Sequence, residues 1–224
     1  MARKLVLLHG WGQDKRTWHG LLEAFGNEAV AWDLPGFGAE KVKEEWGVPE
    51  YAEWVERKIK KEGWSRQTRL VLMGHSFGGR IAAEIASKQP EWLAGLILYG
   101  APCLYRPSWK IVMIKHLAKR WRWFKLIKRL VVSSELADAD KKGLGKVFRR
   151  VVVYDQTEQL STIKVPTLVL WGEKDGAVPV AMAKEMNSLI DKSKLEIVED
   201  GGHNVHLSNP MLFNGIVKRW YESI

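Results

Sequence analysis

The sequence predicts an α/β fold built on a mainly parallel sheet of about six strands. Three observations predict it. Short apolar runs recur along the chain, amphipathic helical patterns separate them, and the runs are apolar at successive positions. Continuous apolar runs suit strands covered by helices on both faces, and repeated strand–helix units imply parallel pairing with right-handed crossovers.

Leu5–Leu8 is the first strand and Ala29–Trp32 the second; Leu70–Met73, Leu93–Tyr99, Pro166–Trp171 and Leu195–Val198 complete the six. Between the second and third, Pro49–Lys61 sets Tyr51, Trp54, Val55 and Ile59 on one helical face, with Gly63 as a stop. Phe77–Lys88 forms a helix directly after the third strand, and Val180–Ile190 one after the fifth. Asn209-Pro210 reads as N-cap and first turn of a final helix that turns Leu212, Phe213, Ile216, Val217 and Trp220 inward. Between Leu98 and Pro166 no convincing buried strand occurs and most residues look helical; Val151–Val153 suits a strand or a helix equally. The expected division is a core of residues 1–103 and 164–224, with residues 104–163 inserted in the same domain as a helical lid.

Composition narrows the class. At 224 residues, 46% hydrophobic and 27% charged, the chain is one ordinary globular domain. The single Cys103 excludes an internal disulfide framework and fits a reducing compartment. No Cys/His cluster has zinc spacing, so no metal is expected. The longest prominent uncharged stretch, Trp92–Tyr105, has 14 residues, below the ~18 of a membrane span. Leu5–Leu8 is too short for the ~7–15-residue apolar region of a secretory leader, which points to a cytoplasmic location.

The chemistry centres on Gly74-His75-Ser76-Phe77-Gly78, a G-x-S-x-G pattern between a strand and a helix. That context sets a serine on a sharp turn at a helix N-terminus, which a chance glycine-rich turn would lack. A serine nucleophile needs a base, and the base an orienting acid. Of six histidines, His9 is expected to shape its loop, His75 to point elsewhere, and His19 and His116 to lie on helix surfaces. His206 reads as a first-turn residue of the last helix. His203, after Gly201-Gly202 beyond the sixth strand, is the candidate base. Asp175, in the turn after the fifth strand, is the candidate acid; Glu173 is weaker, and Asp200 more often forms a turn. The order Ser76, Asp175, His203 is the serine–acid–histidine order of α/β-hydrolases.

With His9-Gly10-Trp11-Gly12, Asp33-Leu34-Pro35-Gly36-Phe37-Gly38, the Gly74–Gly79 elbow, the Gly172–Asp175 turn and Gly202-His203, the chain resembles the α/β-hydrolase superfamily over nearly its whole length. The first two motifs look most like small carboxylesterases of the pimeloyl-[acyl-carrier protein] methyl ester esterase type. The resemblance implies a three-layer α/β-hydrolase fold and an oxyanion hole from the backbone N–H groups of Phe77 and Trp11. It also implies an acyl-enzyme on Ser76, hydrolysis of a carboxylic ester or thioester, and no cofactor. Most members open with two further antiparallel strands; here the first strand directly precedes HGWG, which predicts a sheet lacking those two. An acyltransferase, a peroxide-forming variant and a lipid or monoacylglycerol-type lipase use the same triad. A binding protein that has kept only the fold is the alternative from another class.

The net charge of +9 is not spread evenly. Arg106–Arg150 holds fourteen basic and three acidic residues, a surplus of +11, so the remainder carries −2. From Trp109 to Val131 an imperfect amphipathic pattern sets Ile114, Leu117, Trp121, Phe124 and Val131 against Lys115, Lys119, Arg122 and Arg129. Such a lid is either merely solvated on its basic face, or that face meets an anionic acyl carrier or an anionic membrane surface. No nucleic-acid motif accompanies the charge.

Overall fold

The computed structural model describes residues 3–38, 40–42, 46–64, 68–106 and 134–224. Six strands form one sheet: β1 (Arg3–Leu8), β2 (Ala29–Trp32), β3 (Arg69–His75), β4 (Leu93–Tyr99), β5 (Thr167–Gly172) and β6 (Ser193–Val198). Their order is β2-β1-β3-β4-β5-β6 and every neighbouring pair is parallel. The described residues thus form the six-stranded parallel sheet expected from the apolar runs.

The helices are α1 (His19–Phe25), α2 (Val48–Lys61), α3 (Phe77–Ser87), α4 (Ser134–Lys141), α5 (Gly145–Val153), α6 (Thr157–Thr162), α7 (Val180–Leu189), α8 (Val205–Ser208) and α9 (Pro210–Ser223). They cover both faces of the sheet, and the period of two along each strand divides the core accordingly. Val6, Leu8, Leu72, Leu98 and Trp171 face the side packed by α2, α3 and α7. Leu5, Leu7, Met73, Ile97 and Leu170 face the side packed by α1 and α9. Leu5–Leu8 and Leu70–Met73 are fully buried, which is why these strands show no alternation. This is the three-layer architecture that the resemblance to α/β-hydrolases implies.

Two details differ from the sequence reading. Leu212 is 43% exposed, because Asn209 caps α9 through the Leu212 N–H and directs that first turn outward. His206 is not on the last helix; it sits on the separate single-turn α8, which ends before Asn209. Trp54 packs half-buried against the same core as Tyr51, Val55 and Ile59, on the face expected of it, with its indole N–H donating to Glu40 at 2.8 Å. Val151–Val153 closes α5 and is helix. The expected amphipathic basic stretch from Trp109 to Val131, and His116 with it, lies outside the described residues. Among the described residues no helix is long and apolar enough to cross a membrane.

Candidate active site

β1 and β3 lie side by side, yet the chain leaves β1 toward β2 and β3 toward β4, on opposite sides. Such a switch opens a crevice beyond the carboxyl ends of the two strands. The loop carrying Trp11 follows β1, and Ser76 follows β3.

Ser76 is the one-residue joint between β3 and α3. Its backbone sits at φ 49°, ψ −111°, a left-handed conformation that non-glycine residues rarely adopt. The surroundings hold it there. The Ser76 N–H donates to the Tyr99 carbonyl at 2.8 Å, and the Ser76 carbonyl accepts from Gly79 and Arg80 at 3.0 and 3.3 Å. The turn closes only with glycine on both sides: a Cβ on Gly74 would lie 2.2 Å from the Gly78 carbonyl oxygen, and one on Gly78 2.4 Å from that of Leu8. Phe77 then begins α3 with its N–H unclaimed inside the helix. Neither that N–H nor the Trp11 N–H donates a hydrogen bond among the described residues. The rings of Trp11 and Phe77 meet edge to face at 5.3 Å, which keeps the two loops together.

His203 and Asp175 come from the loops after β6 and β5. The His203 Nδ1–H donates to Asp175 Oδ2 at 2.7 Å. Asp175 Oδ1 accepts from the backbone N–H groups of Ala177 and Val178, both at 2.8 Å. With its side chain 1% exposed, the carboxylate is fixed at both oxygens. Because Nδ1 carries the proton shared with Asp175, the neutral imidazole presents Nε2 as its acceptor. His203 and Ser76 line the same cavity of about 270 Å³, along with Trp11, Phe77 and Phe148. The weaker acids lie elsewhere: Glu173 accepts the Asp200 N–H, and Asp200, at φ 57°, pairs with Lys174.

The site also contains residues that the motifs do not mark. The His203 carbonyl accepts hydrogen bonds from the Tyr99 hydroxyl at 2.9 Å and from His75 Nε2 at 3.0 Å. His75 therefore does not simply point away; it is buried, stacked on Tyr99, and holds the His203 backbone. Gly100, at φ 53°, lies under the His203–Asp175 pair, and a Cβ there would come within 3.1 Å of the imidazole. Its signal was a glycine directly after the fourth strand. His9 accepts the Leu34 N–H at Nε2, the loop-shaping role expected of it, and His19 is exposed beside Glu23 on α1.

Burial sets the charge state of this histidine cluster. Desolvation, with His203 as a second cause, pushes His206 down to about 4. Desolvation also holds His75 well below its usual range and lowers His9. A depressed histidine is neutral in the fold while the unfolded chain takes up a proton near pH 6.5. Stability is thus complete above about pH 6.5 and falls as the pH drops toward 4. His206 alone should remove about 3 kcal/mol over that window, from its pKa difference at ~1.4 kcal/mol per pH unit. Urea denaturation at a series of pH values will show this slope; a flat profile between pH 6.5 and 4.5 would refute it.

A family model described as the alpha/beta hydrolase family matches residues 5–215. The pimeloyl-[acyl-carrier protein] methyl ester esterase of Hamiltonella defensa subsp. Acyrthosiphon pisum is 26% identical over 245 residues, covering 97% of this chain and 92% of its own length. That of Aeromonas hydrophila subsp. hydrophila is 27% identical over 250 residues, covering 96% and 94%. Among solved structures, bromoperoxidase from Bacillus anthracis shares the fold with a TM-score of 0.78, at 20% identity over 99% of this chain and 92% of that one.

Proposed function

The chain belongs to the alpha/beta hydrolase family, and from that premise we propose that it is a serine carboxylesterase working through Ser76, His203 and Asp175. The observation that carries this reading is the 2.7 Å His203–Asp175 hydrogen bond beside a cavity that His203 shares with Ser76. The esterase names of the curated relatives support the reaction class.

In this mechanism His203 Nε2 takes the Ser76 hydroxyl proton as Oγ attacks the ester carbonyl. Asp175 holds the tautomer and stabilises the imidazolium that forms. The carbonyl oxygen becomes an oxyanion facing the free N–H groups of Phe77 and Trp11; losing one such donor typically costs ~3–4 kcal/mol of transition-state stabilisation. Collapse expels the alcohol, which takes its proton from His203. Water, with His203 as base again, then releases the acid and restores Ser76. No step calls for a metal or cofactor.

Residues 104–163 act as the lid in this reading, and their described part already lines the cavity through Phe148, Val151 and Val152. A cavity of about 270 Å³ favours short to medium acyl chains. The basic surplus in the lid sequence suits an anionic acyl carrier, in keeping with the carrier named in the relatives. The lone Cys103 is buried and fits a cytoplasmic enzyme.

A fluorophosphonate probe tests the central claim. Labelling of the folded protein should map to Ser76 and be blocked by prior incubation with a short p-nitrophenyl ester. Absence of labelling in folded protein would leave a binding protein on the same scaffold. Transfer of the acyl group to an alcohol in preference to water would make it an acyltransferase.

A further inference from the structure

Arg80 is an arginine inside the cavity that the reaction above does not use. It lies one helical turn beyond Ser76 on α3, with its own N–H bonded to the Ser76 carbonyl, and it lines the same cavity while only 4% exposed. Four residues of helix rise about 6 Å, and helical side chains lean toward the N-terminus, so the Arg80 side chain leans back toward the nucleophile's turn.

Among the described residues its hydrogen-bonding capacity is mostly unspent. One guanidinium N–H donates to the Tyr154 carbonyl at 2.6 Å, out of the five that arginine carries. Among the described residues no carboxylate lies within 4.0 Å of it, and the two nearby acids are engaged elsewhere. Glu84 accepts from the Tyr154 hydroxyl at 3.1 Å and from Gln156 at 3.4 Å. Asp155 accepts from the Tyr105 N–H, the Thr157 hydroxyl and Arg106. Desolvation lowers the Arg80 pKa, yet an arginine keeps its charge in proteins. Phe148, Val151, Val152 and Val178 make the neighbouring wall apolar. A purely aliphatic ester would leave a buried cation facing hydrocarbon, whereas a carboxylate would pair with it in a two-pronged geometry.

We propose that Arg80 is an anion subsite that selects esters whose acyl group carries a free carboxylate a short spacer from the scissile carbonyl. This rests on the esterase reading above and names its substrate class. The acyl side is the one to expect. That half stays on Ser76 after the alcohol leaves, so its charge meets Arg80 in both half-reactions, while a charge on the alcohol would leave after the first. The reaction itself is unchanged: the ester bond breaks, water adds, and a dicarboxylate and an alcohol are released.

The test compares mono-p-nitrophenyl glutarate with the neutral p-nitrophenyl pentanoate, taking the ratio of their kcat/KM values within each protein so that differences in folded fraction cancel. The wild type should favour the charged ester by about ten- to a hundredfold, the range expected of a charge-assisted contact. Arg80→Gln should bring the ratio to unity or below. Arg80→Lys, which keeps the charge but not the fork, should retain part of it. If Arg80 merely held the Tyr154 carbonyl, the ratio would be the same in all three proteins, which would overturn the subsite and leave the esterase standing. A second measurement does not depend on turnover: calorimetric titration of glutarate into the folded proteins. Saturable binding to the wild type that Arg80→Gln abolishes is expected even if neither ester is hydrolysed, an outcome that would sink the esterase alone. Equal binding to both proteins, or binding to neither, would overturn the subsite.

Discussion

Replacing Ser76 with alanine should lower kcat for p-nitrophenyl butyrate by roughly a millionfold, the loss found when the nucleophile of a serine triad is removed. The fold should survive. The contacts that fix the turn are backbone ones, from the Ser76 N–H to Tyr99 and from Gly79 and Arg80 to the Ser76 carbonyl, and alanine keeps all three. Alanine also meets the positive φ no worse than serine does. Single-turnover kinetics beside a thermal melt will check this. A loss below a hundredfold with the melt unchanged would mean that the attacking group is not Ser76.

The second large effect comes from Asp175→Asn, expected to reduce kcat by about ten-thousandfold. Asn can keep its oxygen in the Oδ1 place, where Asp175 accepts the Ala177 and Val178 N–H groups. Its amide then occupies the place of Oδ2 and donates to His203 Nδ1. That proton forces the imidazole into the opposite tautomer, with Nε2 protonated and unable to take the serine proton. The pH–rate profile separates this from a loss of folding, since the residual rate should rise with hydroxide while the melting temperature stays close to wild type. Asp175→Asn activity within tenfold of wild type would instead assign the orienting role to another group.

Much of this molecule was legible in the chain itself. Leu5–Leu8 and Leu70–Met73 are apolar throughout because both faces of a central parallel strand are covered, so the buried strands announce themselves. The elbow was legible for a related reason: a serine at φ 49° needs glycine at Gly74 and Gly78, where any Cβ would strike backbone. Asp175 and His203 could be nominated because each follows a strand, and all strands of a parallel sheet end at one edge. Leu212 and His206 were misread because a helical period does not show where one short helix stops and the next is capped.

What the sequence determined by itself was the parallel sheet, the order of its units and the residue types at its active edge, since periodicity and turn chemistry are local properties. What only the tertiary structure decided was which groups meet there. The switch between β1 and β3 sets Trp11 beside Ser76, and Tyr99 and His75 reach across to the His203 carbonyl. Gly100 makes room beneath the imidazole, and Arg80 lines the cavity that Ser76 and His203 share. These contacts join residues up to 128 positions apart, as between His75 and His203. Nothing in either local pattern encodes such a meeting; it arises only when the sheet brings its strand ends to one edge.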